Sequence, residues 1–264
     1  MYLEHWGLGK YPFENVPDPE FLYFSKEHEE ALVRLIYAAK RNKGAALLTG
    51  EVGIGKTTLS RAFLQQISKS EFDIALMTNP TLEPVDFLKE VLNQFGLQSD
   101  SNSKAEILDV LNQRLLENMN QDITTLLIID EAQLIFEDTF EEIRLLLNFQ
   151  LDDRFLLTLI LIGQPELRDI IVKVKQLDQR IAIKYHLHPL VSEDISTYIE
   201  FRLEKAGLAG NMFDQQAVEE IYNYSQGIPR KINNVCDLSL LIGFTSKAEA
   251  IGPEIVKQVV EELS

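Results

Sequence analysis

An α/β fold is what this 264-residue sequence predicts: a parallel sheet covered by helices on both faces, followed by an all-helical domain. Three observations carry that expectation. Short apolar runs alternate with helical patterns from Gly44 to about Leu187, one of those runs enters a glycine-rich turn that opens a helix, and strand-like runs cease after His188-Pro189-Leu190.

Taken in order, residues 1–25 read as irregular and rich in proline and aromatics, with Tyr11-Pro12-Phe13, Pro17-Asp18-Pro19 and Phe21-Leu22-Tyr23-Phe24. Ser25 is placed to cap a helix running to about Arg41, with Ala31, Leu32, Leu35 and Ile36 on one face. Candidate strands are 45–49, 73–78, 124–129, 155–162 and 181–187, and helical patterns include Thr57 to Ser68, Pro84 to Phe95, Lys104 to Met119 and Thr139 to Asn148. Beyond the boundary near 188–191, helices open at Ser192, at Asp214, after Pro229 and after Pro253. Three segments are therefore expected: 1–43, an N-terminal stretch and helix packing on the core; 44–188, the α/β core; and 189–264, a helical domain.

The turn after the first strand is Gly50-Glu51-Val52-Gly53-Ile54-Gly55-Lys56-Thr57-Thr58, which fits G-x-x-x-x-G-K-[ST] without a mismatch. Gly50, Gly53 and Gly55 let the backbone curl so that its N–H groups point inward, and the helix that follows adds partial positive charge at its N-terminus. Such a cradle takes the phosphates of a nucleoside triphosphate. Lys56 would reach the β- and γ-phosphates, and the Thr57 hydroxyl would bind Mg²⁺. The plainer alternative, a glycine-rich turn with no phosphate to hold, lacks a reason for the strand before it and the helix after it.

A second chemical element is Leu126-Leu127-Ile128-Ile129-Asp130-Glu131. An apolar strand ending in two acids puts both carboxylates at its C-terminal tip, where open α/β sheets bind ligands. Beside a phosphate loop, Asp130 would help hold Mg²⁺ and Glu131 would polarise an attacking water. Alone, a strand ending in two acids is a common structural pattern.

Composition narrows the function classes. A net charge of −16 disfavours sequence-independent grip on nucleic acid, which depends on neutralising phosphates with Lys and Arg. Lys40, Arg41 and Lys43 form a small basic cluster that reads as a solvated helix end. The single cysteine, Cys236, rules out an intrachain disulfide and reads as a small buried residue of a helix. No apolar run is long enough to span a bilayer, and the N-terminus lacks the features of a signal peptide, so a cytoplasmic location is expected.

These features together resemble the AAA+ ATPases, which are P-loop NTPases with a five-stranded parallel sheet and a C-terminal helical lid. Further stretches resemble the ATPase domain of the general secretion pathway protein A family, which includes relatives linked to type IV pilus (MSHA) biogenesis. They are Met1 to Leu8, Pro12-Phe13, Pro17 to Tyr23, His28 to Leu32, Leu47 to Gly53, Ile128 to Gln133, Leu161 to Leu167 and Gly227 to Asn233. The resemblance covers essentially the whole chain. Members often continue into a transmembrane helix and a periplasmic peptidoglycan-binding domain; this sequence ends at the lid, as a stand-alone member or a piece of a longer chain would.

The resemblance implies roles for further residues. Gln164 would contact the γ-phosphate or orient water, the sensor-1 role, or else simply starts a Gly-Gln-Pro turn. Arg180 would act as an arginine finger on a neighbouring subunit of a homo-oligomer, or else pairs locally with Asp178 or is simply a solvated arginine. Arg230 would begin a lid helix aimed at the phosphates, the sensor-2 role, or else follows ordinary helix-start geometry after Pro229. Phe13 and Tyr23, with Pro17 and Phe21, would form the adenine pocket or else pack in a core. The implied activity is Mg²⁺-dependent ATP hydrolysis, with ADP as product, that assists a secretion or pilus machine through a protein partner at the inner membrane. Two alternatives are a DNA-dependent regulator of the transposition type and a nucleotide-gated scaffold with little turnover.

Overall fold

The structure is a computed structural model that describes residues 2–152, 154–208 and 210–263. Met1 and Ser264, the ends of the first and third expected segments, lie outside the described residues, as do Asp153 and Ala209. The chain divides into two compact units. One comprises His28–Gly50 and Ser60–Leu187, and the other Met1–Glu27, Glu51–Leu59 and His188–Ser264.

The first unit is built on five parallel strands, β1 (Ala45–Gly50), β2 (Phe72–Met77), β3 (Thr124–Ile129), β4 (Leu157–Gly163) and β5 (Ile181–Leu187), in the spatial order β2-β3-β4-β1-β5. Burial explains their composition. The three inner strands are apolar along nearly their whole length because both faces are covered, whereas β5 alternates and exposes Ala182 and Lys184 at the sheet edge. The expected strand 155–162 starts two residues late. Phe155 instead forms a bridge back to Gln150, which reverses the chain before β4.

Helices α4 (Pro84–Gln94) and α5 (Lys104–Asn120) follow the expected spans closely. Pro84 sits in the first turn of α4, where its missing N–H costs nothing. Phe87, Leu88, Val91 and Leu92 bury one stripe of α4; Ile107, Leu111 and Leu115 do the same for α5. Each such side chain contributes about 1.5–3 kcal/mol. A buried polar link completes α5: Asn118 donates to Asp73 at 2.7 Å and to Thr125 at 2.9 Å, while Arg114 donates to the same Asp73 oxygen at 2.8 Å. Two short helices, Phe140–Leu146 (α6) and Glu166–Lys173 (α7), flank β4, and a third, Lys175–Asp178 (α8), precedes β5. The latter two had no counterpart in the sequence reading, because Gln164-Pro165 reads as a turn.

In the second unit, α9 (Ser192–Lys205), α10 (Gln215–Ser225), α11 (Pro229–Thr245) and α12 (Pro253–Leu263) surround an apolar core that includes Ile195, Leu203, Ile221, Val235, Leu240 and Val256. Asp214 caps α10, accepting the Ala217 N–H at 2.7 Å. At Gly227 (φ +76) a side chain is excluded, since a Cβ would fall 2.0 Å from the Leu190 carbonyl oxygen.

The N-terminal residues differ from expectation. They hold a short helix, α1 (Leu3–Trp6), and a 3₁₀ turn at Pro19–Phe21. Tyr2, Trp6, Leu8 and Phe13 enter the core of the helical unit, whereas helix α2 (Lys26–Lys40) falls with the sheet unit from His28 onward, so the expected segment 1–43 divides near residue 27. Side-chain chemistry explains the choice. Trp6 donates to the Leu240 carbonyl at 2.9 Å. Arg202, only 7% exposed, donates to the carbonyls of Pro12 at 2.6 Å and Glu14 at 3.0 Å and to the Tyr198 hydroxyl at 3.1 Å. Large aromatic surfaces and backbone carbonyls of this segment thus find their partners among α9 and α11. Among the described residues, no helix is long and apolar enough to cross a membrane.

Candidate functional site

Between β1 and the helix α3 (Lys56–Gln66) lies the glycine-rich loop. Gly53 and Gly55 take φ of +82° and +105°, values that a side chain would resist, and they turn the chain tightly enough for the Ile54 N–H to reach the Glu51 carbonyl at 3.4 Å. Glu51 and Val52 are exposed, Ile54 is buried, and Gly53, Gly55, Thr57 and Thr58 are half-buried. The Leu59 N–H donates to Gly55 at 2.9 Å, so helical bonding starts at the loop's last glycine. Lys56 is 6% exposed and its ammonium donates to the Glu51 carbonyl at 3.0 Å. Burial strips this cation of most of its water, and the charge-assisted bond to the loop carbonyl offsets part of that cost.

Arg230 lies against the same loop. Its N–H donates to the Gly53 carbonyl at 3.1 Å, and a Cβ on Gly53 would stand 2.6 Å from the Cβ of Arg230. Its side chain is exposed, in the first turn of α11 after Pro229. Both the left-handed φ and this close approach therefore require glycine at position 53.

In the sheet unit, the C-terminal ends of β1, β3 and β4 carry Gly50, Asp130-Glu131 and Gly163-Gln164 on one edge. Asp130 is 4% exposed and Glu131 half-buried. The Asp130 N–H donates to Met77 at 2.9 Å, and its Oδ1 accepts the Glu131 N–H at 2.9 Å. Glu131 itself stands at φ +52°, ψ +37°. Its Oε2 accepts from the Gln133 amide at 2.6 Å and from the Gln164 amide at 3.4 Å. Gln164 is thus brought to the acidic pair. Gln133, which also accepts the Gln164 N–H at 3.0 Å, was missed as a site residue. It lies two residues past Glu131 in a stretch quoted only for resemblance, and no spacing rule marks it.

The remaining expected residues fall as follows. Arg180 directly precedes β5 and donates to the Leu147 carbonyl; Asp178 pairs with Lys184 at 2.5 Å, so the local Arg180–Asp178 pair is absent. Phe13 is 2% exposed and packs edge-on against Phe213, and Tyr23 packs edge-on against Tyr198 and Phe201. Burial, then the charge of Asp194, raises the Tyr23 pKa. Core packing, the plainer of the two readings, describes the Phe13 ring: the helices of its unit enclose it and leave no face for a base. Cys236 is buried in α11, and burial pushes its thiol well above the usual range.

The donor set bears on Mg²⁺. Among the described residues, no group of three or more His, Cys, Asp or Glu could hold a metal.

Comparison with known proteins agrees with this chemistry. The AAA domain family matches residues 39–171. General secretion pathway protein A of Aeromonas hydrophila is 39% identical over 254 residues, which cover 95% of this chain and 46% of that protein, so the chain spans less than half of that relative's length. An uncharacterised HTH-type transcriptional regulator of Methanocaldococcus jannaschii is 24% identical, over 83% of this chain and 63% of its own length. Among solved structures, the Aeropyrum pernix ORC2 protein in its ADPNP–ADP complexes aligns with a TM-score of 0.69 at 20% identity, covering 96% of this chain and 71% of that one. The Thermotoga maritima RuvB Holliday junction branch migration motor aligns at 0.61 and 19% identity, covering 96% and 74%. At such identities the two structures speak for the fold alone.

Proposed function

We propose a function that proceeds from one fact: the chain belongs to the general secretion pathway protein A family of AAA-domain ATPases. It hydrolyses Mg·ATP to drive assembly or remodelling of a secretion or type IV pilus machine in a bacterial envelope. It acts at the cytoplasmic face through a protein partner, and its own contact with the membrane is indirect.

One observation carries the catalytic half of this reading. A buried lysine leans on the carbonyl of a loop with two positive-φ glycines, at the end of a parallel strand and the start of a helix. In the proposed mechanism the loop N–H groups and Lys56 hold the β- and γ-phosphates, and Arg230 and Gln164 read the γ-phosphate. Mg²⁺, taken up with the nucleotide, would be held by Thr57 and Asp130 and would neutralise charge on the phosphates. Glu131 orients the attacking water and accepts its proton. Arg180 of an adjacent subunit neutralises charge on the transferring group, an effect worth roughly 10³–10⁵ in rate where such arginines act.

Calorimetry and turnover test the proposal together. Lys56→Ala is expected to lose tight Mg·ATP binding, and Glu131→Gln to bind ATP while turnover stalls. Unchanged nucleotide affinity in the first, or normal turnover in the second, would contradict the assignment. Mixing Arg180→Ala with Lys56→Ala subunits is expected to restore part of the lost activity, because each supplies the group the other lacks. No restoration would remove the trans role.

A further inference from the structure

We infer that Gln133 is a positioning residue for phosphoryl transfer to water: it fixes the Glu131 carboxylate and ties it to the end of β4. The inference rests on the reading of Glu131 as the group that orients water. Three observations converge on Gln133. Its Nε2 donates to Glu131 Oε2 at 2.6 Å, its Oε1 accepts the Gln164 N–H at 3.0 Å, and that same oxygen lies 2.7 Å from where a Cβ on Gly163 would stand.

Chemistry alone fixes which way the amide faces. A backbone N–H can only donate, so the oxygen must face Gln164; an ionised carboxylate can only accept, so the nitrogen must face Glu131. Gly163 leaves room for this arrangement, since any larger residue would push the Gln133 oxygen off its donor. Glu131 needs such support. Its backbone sits in the left-handed region that side chains rarely adopt, held by Asp130 Oδ1 on its N–H at 2.9 Å and by the Leu134 N–H on its carbonyl at 2.9 Å. The side chain beyond that strained backbone is then located by Gln133, with the Gln164 amide as a longer second contact at 3.4 Å.

The arrangement has a consequence for catalysis. Gln164 is proposed to read the γ-phosphate, and its N–H is one end of the Gln133 bridge. A shift of Gln164 on nucleotide binding therefore moves the amide that holds Glu131, so the water-orienting group responds to the state of the phosphate. Gln133 touches neither phosphate nor water in this scheme; it acts through Glu131.

The test compares Gln133→Met, which keeps the length and removes both hydrogen bonds, with Gln133→Glu, which keeps the length but replaces the donating amide with a second carboxyl facing Glu131. Each is expected to lower kcat roughly 10- to 100-fold, the cost of a misplaced reacting group. Mg·ATP affinity and melting temperature should stay within about twofold and a few degrees of wild type. In a Glu131→Gln background, Gln133→Met should lower turnover no further, because the partner it positions is already gone. Near-normal kcat in both single variants would overturn the inference. So would losses of kcat, affinity and melting temperature in step, which would mark a merely structural role. Stalled turnover in Glu131→Gln with normal turnover in Gln133→Met removes this inference alone, whereas normal turnover in Glu131→Gln removes the Glu131 reading with it.

Discussion

Gly53→Ala should weaken nucleotide binding severely, and the size of the effect follows from two terms. Holding alanine at φ +82° costs about 1–2 kcal/mol. The new methyl would stand 2.6 Å from the Cβ of Arg230, so the loop or α11 must retreat. Retreat stretches the 3.1 Å bond from the Arg230 N–H to the Gly53 carbonyl, worth about 0.5–1.5 kcal/mol. Together these give about 1.5–3.5 kcal/mol. If the loop relaxes into a geometry unfit for phosphate, the same energy reappears as roughly a 10- to 300-fold weaker dissociation constant. Titration calorimetry with Mg·ADP measures it. Gly96→Ala is the control: Gly96 also has a positive φ, +72°, but a Cβ there meets nothing within 4 Å. That variant should lose about 1 kcal/mol of stability and no nucleotide affinity. Mg·ADP affinity in Gly53→Ala within about twofold of wild type would refute the reasoning.

Three further outcomes are expected. Arg202→Met removes the donor to the Pro12 and Glu14 carbonyls, so it should destabilise the helical unit by about 2–4 kcal/mol and open residues 10–20 to protease; limited proteolysis reads this directly. Asn118→Leu should lower stability by about 1–3 kcal/mol in urea titration with ATP turnover preserved, since it strips Asp73 and Thr125 of a buried donor. Stability should also fall at alkaline pH. Burial raises the Cys236 pKa in the folded state, so the unfolded chain releases its thiol proton first. The contribution is full below about pH 8.5 and declines above it by up to about 1.4 kcal/mol per pH unit. Tyr198, raised chiefly by burial, adds to the loss near pH 10 and above. Cys236→Ala should flatten the first part of the curve, and an unchanged slope would assign the effect elsewhere.

The two kinds of information divide along a physical line. Patterns local in the chain were legible: apolar runs gave β1 and β3 to within a residue or so, Pro84, Asp214 and Pro229 marked helix starts, and the spacing of glycines and Lys56 marked the turn between β1 and α3. These depend on backbone geometry and residue type over fewer than twenty residues, which the sequence states outright. Where the first 27 residues pack, and whether Phe13 serves a base or a core, depended on partners some two hundred positions away, such as Arg202 and Phe213. The Gln133 bridge joins residues 131, 133 and 164, and Arg230 meets Gly53 across 177 positions of chain. Such pairings are chosen by competition among many possible neighbours for burial and hydrogen bonds, and only the folded chain decides that competition.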